Sequence, residues 1–263
     1  MMSNYENPTP QQNLIPIYEF SRGFDNPHLS ERYQRWVSGG YLQEVASENH
    51  PVPEEIQNSV KRGDFRINDN YPPDNKNQEI ALIARDFNKY SVLAVATGVY
   101  DDKLRQLVAY RYFWLEKIDP NIDGIATLFH WWLHQDKPCF HFADALSANQ
   151  ESSRKIDNRA KIYTLDESIQ KYYELSQKFS NFIPEITDYP YIFNFKIEEA
   201  ALHLITLHLH QKYRVPLAWA WNVTLLEKSA SSTLTLINCV DDKTLNDISQ
   251  DVKSSQKPIN YIP

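Results

Sequence analysis

Two histidines four residues apart form the clearest metal-ligand pattern in this sequence. His130 and His134 lie in a segment with helical apolar spacing, so both imidazoles share one helix face, about 6 Å apart along the axis. Cys139 and His141 follow closely and would complete a site for a divalent metal ion. The glutamate of an H-E-x-x-H motif is missing, so such a site would lack the usual water-activating base. We therefore keep a metal-dependent enzyme as an alternative and prefer an interpretation in which both histidines cover the polar side of a helix.

An aromatic strand is the second pattern that could bind a ligand. Tyr110, Tyr112 and Trp114 alternate along one strand face, and an exposed ladder of this kind would stack on bases, sugars or a peptide. A sheet face covered by a helix uses the same residues. Arg111 lies on the opposite face among apolar neighbours, where a guanidinium needs a carboxylate partner or a ligand anion. We predict Tyr110, Arg111, Tyr112 and Trp114 as the ligand- or partner-binding residues.

A second group of histidines has a spacing that suits a single metal ion poorly. On a helix, Glu199, His203 and His210 would share a stripe, whereas a strand would place His208 and His210 on one face. His203 and His210 would be separated by two helical turns, which is too far for both rings to reach one ion comfortably. We interpret this group as a solvated polar face.

Positive charge is concentrated in one short segment, from Arg154 to Lys161. This segment would contact phosphate in a nucleic-acid accessory protein, with the aromatic strand stacking on bases. The whole chain has 27 Lys and Arg against 34 Asp and Glu, which gives a net charge of −7 at pH 7. Nucleic acids and anionic membranes require larger basic surfaces, so both are disfavoured as partners.

The composition excludes several common enzyme classes. Only 6 glycines occur among 263 residues, and none stands at the spacing of a dinucleotide-binding loop, a P-loop or a nucleophile elbow. We predict no cofactor. The 2 cysteines, Cys139 and Cys239, lie in apolar surroundings and are expected to be free thiols in the cytoplasm. The longest uncharged apolar stretch, residues 215–226, is shorter than the roughly 20 residues that span a bilayer, so no membrane segment is predicted.

The elements that must position these residues include both helices and strands. Apolar and β-branched segments predict two β-hairpins, one from residues 90–99 and 104–117 and one from residues 217–227 and 233–240. Shorter strands are expected at residues 15–20, 139–142 and 191–195. Helices are expected at residues 53–61, 125–133, 165–183 and 197–213, the third opened by a capping box formed by Thr164 and Glu167. The fold class is therefore α+β, with antiparallel hairpins packed against helices.

The domain organisation is expected to be simple. Residues 1–13 are polar and contain proline, which predicts a disordered N-terminal tail, and residues 14–263 are expected to form one α+β domain. A weak self-similarity between residues 89–99 and 212–223 raises the hypothesis of a duplicated helix–strand–strand unit, with pseudo-repeat halves 77–147 and 162–245.

These observations favour a non-catalytic function. The sequence contains no complete catalytic constellation and no cofactor loop, but it is rich in aromatic residues and acidic overall. We predict a cytoplasmic interaction or regulatory domain that binds a protein partner. The alternatives are a metal-dependent enzyme that uses His130 and His134, and a nucleic-acid accessory protein that uses the 154–161 segment and the aromatic strand.

Overall fold

The computed structural model describes residues 14–22, 42–44, 50–74, 77, 79–100, 106–139, 158–178, 190–254 and 260–261. The predicted α+β fold is confirmed within these residues. Their strands are β1 (Leu14–Pro16), β2 (Tyr18–Arg22), β3 (Leu42–Glu44), β4 (Ile80–Asp86), β5 (Tyr90–Tyr100), β6 (Gln106–Glu116), β7 (Arg159–Lys161), β8 (Tyr191–Phe193), β9 (Ala218–Val223), β10 (Leu236–Cys239) and β11 (Asn260–Tyr261). Their helices are α1 (Glu54–Arg62), α2 (Gly124–His134), α3 (Leu165–Lys178), α4 (Glu199–Tyr213), α5 (Lys228–Ser231) and α6 (Asp242–Ser254).

A mixed nine-stranded sheet organises the molecule, in the order β11-β8-β10-β9-β4-β5-β6-β2-β3. Strands β8 to β11 pair in parallel, and the strands from β4 onward in that order pair antiparallel. The two halves meet where β9 pairs antiparallel with β4. A separate two-stranded ribbon is formed by β1 and β7.

The first predicted hairpin is present and the second is not. Strands β5 and β6 pair antiparallel over their full length, from Tyr90 opposite Glu116 to Tyr100 opposite Gln106. Strands β9 and β10 pair in parallel instead, so the prediction of a hairpin there is wrong. Residues 224–235 contain no glycine and no proline, and they form a crossover that includes α5. Parallel neighbours require a crossover of about this length, whereas a hairpin requires a tight turn.

Both faces of the sheet are buried, which makes three layers. One core cluster lies between the sheet and α2 and α4 and includes Leu93, Val95 and Leu202. The other cluster lies on the opposite face, where Val92 and Ala94 meet side chains of α1 and α6. Consecutive residues of β5 therefore point into different cores, which follows from the two-residue period of a strand. A strand buried on both faces carries a continuous apolar run, as β5 does over residues 92–96.

The starts of α2 and α3 follow from their capping residues. The Asp123 side chain accepts a hydrogen bond from the Ala126 backbone N–H at 3.0 Å and caps α2. The predicted capping box of α3 is present, since the Thr164 N–H donates to Glu167 Oε2 and the Glu167 N–H donates to Thr164 Oγ1. These two caps fix the beginnings of the helices that carry the candidate site.

The proposed duplication is not confirmed. Strand β5 follows strand β4 and forms a hairpin with β6, whereas β9 follows helix α4 and pairs in parallel with β10. The two similar sequences thus begin different supersecondary units. The predicted tail at residues 1–13 lies outside the described residues, and the prediction of a single domain over residues 14–263 stays a prediction.

Candidate functional site

A buried histidine–aspartate pair lies at the centre of the polar groups in this core. His203 in α4 and Asp123 at the start of α2 are 80 residues apart in sequence, and His203 Nε2 lies 2.9 Å from Asp123 Oδ2. Their side chains are only 3% and 0% exposed. The expectation of a solvated polar face is therefore wrong for His203, which is buried against a partner from another element. Asp123 is the residue directly before α2, and this position brings its side chain here.

The hydrogen bonds of His203 define its tautomer. The Trp219 indole N–H, which can only donate, lies 3.2 Å from His203 Nδ1. His203 Nδ1 must therefore be the acceptor and carry no proton. The ring proton is then on Nε2, which donates to the Asp123 carboxylate. Both nitrogens of a neutral imidazole are thus occupied by protein partners.

Asp123 is held in its ionised form by several donors. Burial alone would raise its pKa, but the interaction with His203, the hydrogen bonds from the His203 ring and the Ala126 amide, and a hydrogen bond with Ser168 together lower it. Ser168 lies in α3 and is itself buried. The carboxylate therefore joins α2, α3 and α4, and Trp219 adds strand β9 through His203. This arrangement can fix how four elements pack, but it presents no reactive atom to solvent.

The structure gives His130 and His134 separate partners. The His130 ring stacks on Tyr163, with a centroid distance of 4.2 Å, and His134 Nδ1 donates to the His130 backbone oxygen at 2.6 Å. Burial, reinforced by the nearby Lys171, lowers the pKa of His130 to about 4, so this ring is neutral at physiological pH. His134 is exposed. The pair lies on one helix face, as the sequence indicates.

Two further residues of the predicted metal site follow α2. Cys139 is half-buried and forms no disulfide, and its backbone oxygen accepts a hydrogen bond from Arg111 Nη1 at 3.4 Å. His141 lies outside the described residues. Among the residues that the structure describes, no three His, Cys, Asp or Glu side chains are grouped in a way that could hold a metal ion.

The three predicted aromatic ligand residues lie in the core. Tyr110, Tyr112 and Trp114 are all buried in the cluster that faces α1 and α6. Tyr112 stacks on Phe20 of the neighbouring strand with centroids 4.6 Å apart, and the Tyr110 hydroxyl accepts a hydrogen bond from the Ile67 N–H at 2.8 Å. These rings support the packing of β6, and their faces are covered by other side chains.

Arg111 has the carboxylate partner that its surroundings require. Its Nε and Nη2 donate to the two carboxylate oxygens of Glu19 at 2.6 Å and 2.9 Å. Both side chains are largely buried, and Glu19 lies on β2, the strand next to β6. A bidentate pair of this kind holds the two strands in register.

One group of cationic and aromatic side chains at the surface was not predicted from the sequence. The Lys161 and Lys171 ammonium groups lie 5.6 Å and 4.8 Å from the centroid of the Tyr163 ring. Lys161 belongs to the basic segment that begins at Arg154, of which residues 154–157 lie outside the described part of the chain, and Lys171 belongs to α3. Only the fold brings them together, because ten residues of sequence and a change from strand to helix separate them.

Comparisons with known proteins do not assign this arrangement. The chain matches no family model, no curated protein and no solved structure at a significant level. Within the described segments, none of the helices has the length and apolar character needed to cross a membrane. The function is therefore argued from the geometry of the side chains.

Proposed function

We propose that this chain is a non-catalytic interaction domain that binds a protein partner in the cytoplasm. The observation that carries the proposal is the closed His203–Asp123 pair. This is the arrangement that most resembles catalytic machinery, yet both ring nitrogens of His203 have protein partners and both side chains are buried. A general base must reach the proton that it removes, and the side chains of this pair are almost completely buried.

Other side chains that could bind a ligand or react also lie inside the protein. Arg111 is paired with Glu19, and burial raises the pKa of the Cys239 thiol, which disfavours its reactive thiolate. The exposed side chains of the described residues include Lys161 and Lys171 beside the Tyr163 ring, and such cationic and aromatic groups act by contact. This distribution supports binding over catalysis.

The two cysteines support a reducing compartment. Cys139, which is half-buried, and Cys239, which is buried, form no disulfide. Free thiols are usual in proteins of the cytoplasm, whereas secreted proteins oxidise them to disulfides.

A metal-dependent enzyme remains the second candidate because His130 and His134 share a helix face. A metal site there requires further ligands. Of the two other predicted ligands, Cys139 and His141, the structure describes Cys139. The nucleic-acid alternative loses its stacking platform, since Tyr110, Tyr112 and Trp114 are buried. The first candidate therefore has the stronger support.

The proposal is tested by quantitative affinity capture of the tagged full chain from its source cells. We expect one protein to be enriched in near-stoichiometric amount, with equal recovery by the His134→Gln variant, which changes only the exposed histidine of the pair. Failure to enrich any protein, together with a metal-dependent activity that this variant loses, would contradict the proposal and favour the enzyme.

A further inference from the structure

We infer that the outer face of the β1–β7 ribbon, together with the start of α3, docks an acidic segment of a protein partner that also carries apolar side chains. We call this face the ribbon surface and define it by Leu14, Pro16, Arg159, Lys161, Tyr163 and Lys171. The inference rests on the proposed function, because it names the surface and the partner chemistry of that same binding activity.

The ribbon has one buried face and one exposed face. Ile15 and its partner Ala160 are 1% and 2% exposed and belong to the core that contains α2 and α4. Their neighbours point the other way because side chains alternate along a strand. Leu14, which is 43% exposed, therefore lies opposite Lys161, and Pro16 lies opposite Arg159. Each cation on the outer face thus has an apolar neighbour.

Two lysines converge on one rigid ring at the end of this face. Lys161 and Lys171 both lie over Tyr163, whose ring stacks on His130. Burial of His130 keeps that ring neutral, so it supports Tyr163 without adding charge. The rigid stack holds the aromatic side chain that both flexible lysines approach, which reduces the entropy lost when a ligand binds between them.

Within the part of the chain that the structure describes, the positive charge of these lysines is not cancelled by an ion pair. No carboxylate of the described residues forms a salt bridge with Lys161 or Lys171. The pKa of Glu167 is lowered mainly by its hydrogen bonds with Thr164, and the two nearby lysines lower it further. Glu167 Oε2 accepts from the Thr164 N–H at 2.8 Å and from the Thr164 hydroxyl at 3.1 Å. Two ammonium groups that form no salt bridge with a described carboxylate lie beside one ring, and a carboxylate of a partner would complete this site.

The size and composition of the ribbon surface favour a peptide over the other anionic partners. It has three cations and two exposed aliphatic side chains, on a chain with a net charge of −7. A nucleic acid presents regular phosphates and would be repelled by the rest of the chain. An anionic membrane likewise requires a wider basic area. A short segment with acidic and apolar residues can match both components at once.

The test is a binding titration with the full chain and a fluorescent peptide of glutamates interrupted by leucines. We expect the Lys161→Glu/Lys171→Glu variant to bind at least about tenfold more weakly, which corresponds to roughly 1.4 kcal/mol. Lys61→Glu/Lys228→Glu is the matched control, because it changes the net charge equally on the opposite side of the sheet. We expect its affinity to stay within about twofold of the parent, and Leu14→Ser to weaken binding without changing the charge.

Several outcomes would overturn the inference. These are equal losses in the two charge-reversal variants, no peptide binding by the parent chain, or tighter binding to a mixed-sequence RNA or to phosphatidylserine vesicles than to the peptide. The partner captured from cells separates this inference from the proposed function. If the Lys161→Glu/Lys171→Glu variant captures that partner fully, the ribbon surface is wrong and the proposed function stands. If no chain captures a partner and a metal-dependent activity is lost in His134→Gln, the proposed function fails, and the ribbon surface, which rests on it, fails with it.

Discussion

Both ring nitrogens of His203 form hydrogen bonds with protein groups. In this respect the pair with Asp123 differs from a catalytic dyad, whose histidine has one nitrogen open to a substrate. Nδ1 accepts from the Trp219 indole and Nε2 donates to Asp123. A buried polar network is stabilising only when every member has a partner, and an incomplete one costs several kcal/mol. At the scale of single residues, the pair is therefore expected to act on packing and stability.

The Asp123→Asn substitution tests this role. Asparagine keeps an oxygen that can cap α2, but its amide also presents N–H groups where the carboxylate had accepted from His203 and Ser168. We expect a loss of about 3–5 kcal/mol in the free energy of unfolding, measured by urea titration. The exposed Asp166→Asn change should cost less than about 0.5 kcal/mol. A similarly small loss for Asp123→Asn would show that the network does not hold the elements together.

His130 should contribute to the pH dependence of stability. Its pKa is lowered from 6.5 to about 4 in the folded state, so between these values the unfolded chain binds more protons. Stability due to His130 is therefore complete above pH 6.5 and is lost as the pH falls towards 4. We expect His130→Gln to flatten the decline in melting temperature between pH 6.5 and 4.5, whereas the exposed His134→Gln should leave it unchanged. Parallel declines in the parent and both variants would contradict this origin.

At the scale of elements, the start of α2 is fitted closely against β5. Gly124 is the first residue of α2, and a Cβ atom placed there would lie 2.1 Å from Ser91 Oγ and 2.7 Å from Ser91 Cβ. The Ser91 hydroxyl cannot move freely, since it donates to Asp86 at 2.5 Å. This contact sets the distance between the helix and the sheet, and with it the position of Asp123.

The Gly124→Ala substitution should therefore reverse the usual effect of that change in a helix. Alanine normally stabilises a helix by up to about 1 kcal/mol over glycine, but here we expect a loss of about 1–3 kcal/mol from overpacking. Ser91→Gly removes the two closest atoms, so the cost of Gly124→Ala should fall below about 1 kcal/mol in that background. Urea titration of the parent, the two single variants and the double variant measures the coupling energy between Gly124 and Ser91. A stabilised Gly124→Ala variant would contradict the close fit.

The elements also differ in how well local sequence predicts them. The β5–β6 hairpin and the α3 capping box depend on residues close in sequence, and both are present. The direction of β10 relative to β9 depends instead on how residues 224–235 cross the sheet. The spacing of apolar residues within a strand does not determine this direction. Strand β4 (Ile80–Asp86) was missed although it is as apolar as its neighbours, because its run is short and lies after a polar region.

In the candidate site too, contacts between residues far apart in sequence could not be predicted. Arg111 was expected to need an anion, and its Glu19 partner lies 92 positions away in sequence. The pairing of His203 with Asp123 and the meeting of Lys161 with Lys171 likewise arise only when separate elements pack. Residue chemistry could be predicted from the sequence, but partners across the fold could not.

At the scale of the whole molecule, one buried arginine marks the junction of the two halves of the sheet. Arg85 lies on β4 opposite Ala218 of β9. Its guanidinium donates to the backbone oxygens of Asp64 and Thr233, so it ties the segments that follow α1 and α5 to the sheet. Burial lowers the pKa of Arg85 to about 10, which leaves it cationic at neutral pH. Arg85 is thus a buried charge whose hydrogen-bond donors are satisfied by backbone oxygens inside the fold.

Native mass spectrometry of the gently purified full chain tests the central claim most directly, because one spectrum reports both a bound protein and a bound metal ion. We expect a complex with one protein partner and no added mass of zinc, with the same spectrum for His134→Gln. A chain without a partner that carries near-stoichiometric zinc, lost in that variant, would contradict this expectation and establish a metal site at these histidines.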